Sequence, residues 1–130
     1  MMPGPLVVVV EDDPASRRTL ARVLRAGGFD AAVYESAEDF LASPPTTLPV
    51  GMLLDINLGG LSGLELQHRL RSEGSRLPII MITAYDEPHT RERAERLGCL
   101  AYLNKPCEPE TIISLLRSLV SDTPSTGGTV

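Results

Sequence analysis

Three aliphatic runs in this chain, at residues 6–10, 52–54 and 79–82, show no alternation of apolar with polar positions. A strand with one wet face alternates with a period of two, whereas an unbroken run belongs to a strand covered on both faces, as in a parallel α/β sheet. Each run also stops at a polar group: Glu11-Asp12-Asp13 after the first, Asp55 after the second and Thr83 after the third. Ligands of open parallel sheets bind in the crevice beyond the carboxyl ends of the strands. The runs therefore constrain the architecture and the position of a site together.

Between the runs lie helix signals. Asp13 before Pro14 reads as an N-cap followed by a first-turn proline. The helix it opens carries Leu20, Val23 and Leu24 on one face and Arg18, Arg22 and Arg25 on another, and Gly27-Gly28 closes it. Residues 31–34 read as a short second strand. Ser36 with Asp39 starts a small helix with Ala37, Phe40 and Leu41 on one side. After a proline-rich loop and the Asp55 strand, Gly59-Gly60-Leu61 leads to Ser62-Gly63-Leu64-Glu65, a capping box opening a helix with Gly63, Leu66 and Leu70 on one face. Residues 77–83 read as the fourth strand. The helix from Pro88 to Leu97 is mostly charged, with Ala94 and Leu97 as its apolar anchors, and should be the least firmly packed. Residues 101–104 make a fifth strand before Lys105-Pro106. Pro109 opens a last helix striped by Ile112, Leu115, Leu116 and Leu119. Residues 121–130, rich in Ser, Thr and Gly, are expected to form a disordered tail or the start of a linker, with the domain spanning 1–120.

Strand and helix thus alternate five times. The expected fold is a single α/β domain, doubly wound, with a five-stranded parallel sheet in the order 2-1-3-4-5, flavodoxin-like, each crossover right-handed. At 130 residues a second domain has no room. A net charge of −5 argues against the domain gripping nucleic acid by itself. No apolar run reaches the ~20 residues of a membrane span, and the first five residues do not resemble a secretory signal, so the chain is expected to be cytoplasmic. Cys99 and Cys107 read as small thiols in a reducing compartment rather than as a redox pair, and His68 and His89 as solvated side chains.

The order 2-1-3-4-5 brings Glu11 and Asp12 beside Asp55. Gathered carboxylates repel unless a cation neutralises them or they retain protons. Three acids without His or Cys are hard oxygen ligands and suit Mg2+. Lys105 and Thr83 reach the same edge, one a point charge for a phosphoryl oxygen and the other a hydroxyl donor. Each residue alone has an ordinary structural explanation. Their joint occurrence at the ends of strands one, three, four and five describes phosphoryl transfer onto an aspartate nucleophile, Asp55.

On the motifs Val-Val-Glu11-Asp12-Asp13-Pro14, Leu-Leu-Asp55-Ile-Asn57-Leu through Ser62-Gly63, Ile-Thr83-Ala84 and Tyr102-Leu-Asn-Lys105-Pro106, the chain resembles a receiver domain of a bacterial two-component response regulator, over roughly residues 5–120. The resemblance implies that a sensor histidine kinase phosphorylates Asp55, and that Asp12, Asp55 and the Asn57 carbonyl bind Mg2+, with Glu11 acting through water. It also implies that Lys105 pairs with the phosphoryl group across a cis Lys105-Pro106 bond. Thr83 would then move toward the phosphoryl group and Tyr102 would turn inward. The surface of the fourth helix, fifth strand and fifth helix would change shape to control an output domain, of helix-turn-helix type in many such proteins, or a target protein. Asn57 and Tyr85 flank the site and are expected to set the lifetime of the phosphorylated form. A phosphorylation-dependent homodimer through the last helix is a further expectation. Such a domain is a switch that catalyses only its own phosphoryl transfer and loss. Two other readings are a receiver-like module that binds without phosphorylation, and an aspartyl-nucleophile phosphatase. The second would want an acid where Asn57 stands, and the first would be favoured by loss of Asp12, Asp55 or Lys105, all present.

Overall fold

In the computed structural model, which describes residues 4–121, the aliphatic runs are strands and the capped segments between them are helices. The chain runs β1 (Leu6–Val10), α1 (Pro14–Ala26), β2 (Asp30–Tyr34), α2 (Ala37–Ala42), β3 (Gly51–Asp55), α3 (Gly63–Ser72), β4 (Ile79–Thr83), α4 (Pro88–Arg96), β5 (Ala101–Asn104) and α5 (Pro109–Ser121). All pairings are parallel and the sheet order is β2-β1-β3-β4-β5, as the apolar pattern requires. The registers align the carboxyl ends of the three central strands: Val10 lies beside Leu54, and Asp55 beside Ile82.

β3 and β4 are buried at every position, and their side chains alternate between two cores. Val8, Val10, Met52, Leu54 and Met81 pack with Phe40, Leu66, Leu70 and Ala94 under α2, α3 and α4. Val7, Val9, Leu53, Ile80 and Ile82 pack with Leu20, Leu24, Ile112 and Leu116 under α1 and α5. Each fully buried aliphatic side chain contributes about 1.5–3 kcal/mol, so the central strands are the least deformable part of the molecule. Cys99 and Cys107 join opposite cores, which separates them by the sheet.

The caps are as read from the sequence. Asp13 accepts from Ser16 N–H at 2.8 Å, Ser36 Oγ from Asp39 N–H at 3.0 Å, and Ser62 and Glu65 form a reciprocal capping box. Boundaries differ by a residue or two. β4 begins at Ile79 rather than residue 77, although the Pro78 carbonyl still accepts from Met52 N–H at 2.9 Å. β2 starts at Asp30 rather than at residue 31, and α4 stops at Arg96, with Leu97 as its cap. The expected tail at 121–130 falls, beyond Ser121, outside the described residues.

α4 buries only Ala94. Polar ties hold it instead: Gln67 Nε2 donates to Ala94 O at 3.0 Å, and Arg71 donates to Leu97 O at 2.9 Å and to Gly98 O at 3.2 Å. Among the described residues no helix is long and apolar enough to cross a membrane.

Candidate functional site

Four polar side chains are buried among the described residues, and three of them, Glu11, Asp55 and Thr83, stand at strand ends. β1 delivers Glu11 and Asp12, and β3 delivers Asp55. One carboxylate oxygen from each of the three lies within 4.8 Å of the others. Glu11 is 1% and Asp55 4% exposed, whereas Asp12 faces solvent. The start of α3 lies hard against the end of β3. A Cβ on Gly63 would lie 2.3 Å from the Asp55 carbonyl oxygen, so only glycine lets the helix start there.

β5 brings Lys105. Its Nζ donates to Glu11 Oε1 at 2.6 Å and to Asp55 Oδ2 at 3.0 Å. The remaining oxygens take backbone donors: Asp13 N–H to Glu11 Oε2 at 3.1 Å and Asn57 N–H to Asp55 Oδ1 at 2.9 Å. Burial pushes the Glu11 carboxyl above its ordinary range, against the opposing effect of Lys105. Burial also acts to lower the Lys105 value, but its bonds to Glu11 and Asp55 outweigh that and hold the ammonium above the usual lysine range. Lys105 is therefore a fixed positive charge shared by two buried acids, and the Lys105-Pro106 peptide bond is cis.

The Thr83 hydroxyl donates to Asn57 Oδ1 at 2.8 Å and accepts from Tyr85 N–H at 3.0 Å. It is directed at its neighbours rather than at the Asp55 carboxylate. Tyr85 itself is 68% exposed. Tyr102, expected to turn inward on phosphorylation, is already buried, with the Arg91 guanidinium 4.5 Å from its ring centroid. Its hydroxyl has no hydrogen-bond partner. Arg91 in turn pairs with Asp86 at 3.1 Å. Inward burial of Tyr102 thus belongs to this arrangement already, because the cation over the ring and the apolar floor beneath it hold it there.

The donor set fits a hard divalent cation: three carboxylates from two strands with no softer ligand among them, one of them solvent-facing and open to replacement of its water. Glu11 and Asp55 each have both carboxylate oxygens engaged, by Lys105 and by a backbone N–H of Asp13 or Asn57, while Asp12 presents the solvent-facing carboxylate.

All the residues predicted for the site, Glu11, Asp12, Asp55, Asn57, Thr83, Tyr85, Tyr102 and Lys105, lie on the carboxyl-end side of the sheet or on β5 beside it. Sequence reasoning missed Arg17, Glu38 and Arg91. Arg17 donates to Glu11 O at 2.9 Å and Asp12 O at 3.4 Å, bracing the acidic turn. Glu38 accepts from Leu61 N–H at 2.8 Å, across 23 residues of sequence. A signal for Arg17 existed in its spacing from the first-helix cap; Glu38 and Arg91 had none, because an exposed charge on a helix looks like any other.

The description "Response regulator receiver domain" fits residues 7–117 as a family match. The acid tolerance regulatory protein ActR of Sinorhizobium medicae is 33% identical over 114 residues, which cover 88% of this chain and 59% of that protein. A receiver protein structure from Burkholderia phymatum shares 38% identity with a TM-score of 0.72, covering 87% of this chain and 95% of that one. The FixJ-N crystal structure shares 28% identity with a TM-score of 0.81, covering 94% and 98%. The chain spans a little over half the length of the curated relatives it matches first.

Proposed function

The chain belongs to the receiver-domain family of two-component response regulators, and on that premise we propose that Asp55 is its phosphoacceptor and that Asp12, Asp55 and the Asn57 carbonyl, with Glu11 in support, hold Mg2+. The observation that carries the reading is the Lys105 ammonium, 3.0 Å from Asp55 and 2.6 Å from Glu11, in a cluster of acids at the ends of two strands. An Asp55 oxygen attacks the phosphorus of a phosphohistidine on a sensor histidine kinase. The new O–P bond replaces the P–N bond, whose electron pair returns to the imidazole, and an acyl phosphate is left on Asp55. Bound Mg2+ would supply charge neutralisation for the transferring phosphoryl oxygens. The Asn57 amide holds one Asp55 oxygen in place, and Lys105 offers a fixed positive charge to the group as it arrives.

Phosphorylation adds ~1.5 to 2 negative charges. Thr83 carries a buried hydroxyl at the end of β4, the strand beside β3, and to donate to a phosphoryl oxygen it must leave Asn57 Oδ1. Both backbone groups of Tyr85 sit at the Thr83 hydroxyl, at 3.0 and 3.1 Å, so that movement pulls on the segment entering α4. The Arg91–Tyr102 contact and the surface of α4, β5 and α5 then change, and an output domain or target protein responds. Relatives bear names such as transcriptional regulatory protein FixJ, which supports an output in transcription control. Pairing through α5 in the phosphorylated form is the expected oligomeric response; size-exclusion chromatography with a phosphoryl mimic giving no change in apparent mass would count against it.

The test of the acceptor is incubation with acetyl phosphate and Mg2+ followed by intact mass. The wild type gains one phosphoryl group, and Asp55→Asn or the wild type with EDTA gains none. Equal labelling of wild type and Asp55→Asn would overturn the assignment.

A further inference from the structure

We propose that Glu38, on α2, is a positioning residue for the phosphoryl site: its carboxylate fixes the loop between β3 and α3 from outside, and so holds Asn57 where the site needs it. The inference rests on the Asp55 reading above for its functional consequence, and on geometry for the contact itself.

The loop is unusual in having two successive glycines, Gly59 and Gly60, directly after the buried Leu58. Gly60 sits at φ +71°, and a Cβ on Gly59 would meet nothing within 4 Å. Such a pair has no side chain to pack and loses more chain entropy on ordering than any other residues would. Glu38 compensates from another element. Its Oε2 accepts from Leu61 N–H at 2.8 Å, and the same oxygen lies against Gly60, 2.6 Å from where a Cβ would stand. Among the described residues this is the one hydrogen bond from the Gly59, Gly60 and Leu61 backbone to another element. The carboxyl is held below its ordinary range chiefly by that backbone donor, consistent with a charged acceptor in use.

At the near end of the same loop, Asn57 N–H holds Asp55 Oδ1 at 2.9 Å and Asn57 Oδ1 holds the Thr83 hydroxyl at 2.8 Å. The loop is therefore fixed at its start by site residues, at its end by the Ser62–Glu65 capping box and the Gly63 N–H to Ile56 O bond at 3.0 Å, and in the middle by Glu38. Freeing that middle lets Asn57 sample positions in which its amide no longer holds the Asp55 carboxylate.

The experiment uses the whole chain with Glu38→Ala, Glu38→Gln and the double variant Glu38→Ala/Gly59→Ala. Three readouts are taken: amide hydrogen exchange at Leu61, the Mg2+ dissociation constant from NMR titration, and Asp55 labelling by acetyl phosphate. Loss of one charge-assisted bond at an exposed position predicts Leu61 exchange about ten-fold faster and Mg2+ binding about five-fold weaker in Glu38→Ala. Glu38→Gln, which keeps an acceptor, falls between, and Gly59→Ala restores part of the affinity by stiffening the loop where space is open. A role confined to the N-terminal charge of α2 would lower the melting temperature while leaving Leu61 exchange and Mg2+ affinity unchanged, and that result overturns the inference. So does a double variant no better than Glu38→Ala in Mg2+ affinity. If the wild type itself fails to label, the Asp55 reading falls, while Leu61 exchange and Mg2+ affinity still decide whether Glu38 fixes the loop.

Discussion

Replacing Lys105 by methionine should destabilise the metal-free protein more than any other single change of a charged side chain at the site. Methionine keeps most of the buried stem and removes only the charge. The ammonium lies 2.6 Å from Glu11 and 3.0 Å from Asp55, carboxylates 1% and 5% exposed at the side chain. At an effective dielectric near 20 each such contact is worth about 6 kcal/mol of Coulomb energy, most of which offsets the cost of desolvating the three groups. What the substitution reveals is that remaining cost. Stranding buried charge by deleting one partner costs roughly 3–5 kcal/mol, and the 24% exposure of the lysine side chain together with the wet flank at Asp12 reduces this to about 2–4 kcal/mol. In a domain of this size that lowers the melting temperature by roughly 10 °C. The assay is thermal or urea unfolding in chelated buffer and again with Mg2+ in excess, which should narrow the deficit because the cation takes over the neutralising role. Arg69→Met is the control: its pair with Glu73, at 3.2 Å, is more than half exposed on both sides and should cost under ~0.5 kcal/mol. A Lys105→Met protein that melts with or above the wild type in chelated buffer, or one whose deficit ignores Mg2+, would refute the reasoning.

Gly63→Ala places a methyl group 2.3 Å from the Asp55 carbonyl and 2.8 Å from Ile56 Cα, both backbone atoms; it should cost roughly 1–3 kcal/mol in urea unfolding and slow labelling of Asp55. Arg91→Ala removes the cation over Tyr102, worth ~0.5–1 kcal/mol at such a partly exposed site, and hydrogen exchange in α4 should rise while that in β4 stays constant. The Glu38 carboxyl, titrated by NMR, should show a midpoint below its ordinary 4.5. Because the folded value is the lower one, its contribution to stability is present above pH 4.5 and is lost as the pH falls through the folded value; a midpoint at or above 4.5 would contradict the Leu61 contact.

The sheet was legible because burial on both faces leaves a mark in every residue of a strand. Val7 to Val10 and Ile79 to Ile82 could not alternate and still be covered by helices on two sides, and that alone implies parallel pairing and crossover helices. Glu11, Asp12, Asp55, Thr83 and Lys105 were legible for a related reason: each interrupts an apolar run or follows one directly, so its place at a strand end follows from the run. Gln67 shows the limit. It is fully buried on α3 and ties down α4, yet in the sequence it is a polar residue in a helix, indistinguishable from a solvated one. Tyr102 shows another. Its presence at the site could be inferred, but whether its ring lies in or out depends on Arg91, eleven residues earlier on a different element. Local spacing encodes which face of an element is buried; it does not encode which exposed charge of one element meets which backbone group of another.

That division bears on how the proposed switch can work. A negative charge arriving on Asp55 cannot be accommodated by moving β3 or β4, because every side chain of both is packed and a shift would cost several buried aliphatic contacts. Lys105 would meet the incoming group from where its two acids already hold it, so it need not move and passes no shape change to the surface. The group that can answer is the Thr83 hydroxyl, whose present bonds to Asn57 and Tyr85 are worth only about 1 kcal/mol each net. The element downstream of it is α4, with a single buried residue and a handful of hydrogen bonds from Gln67 and Arg71. The costs differ enough to favour one path: a rigid sheet that concentrates charge at its edge, beside a helix that buries a single residue among those described, would send the response toward α4.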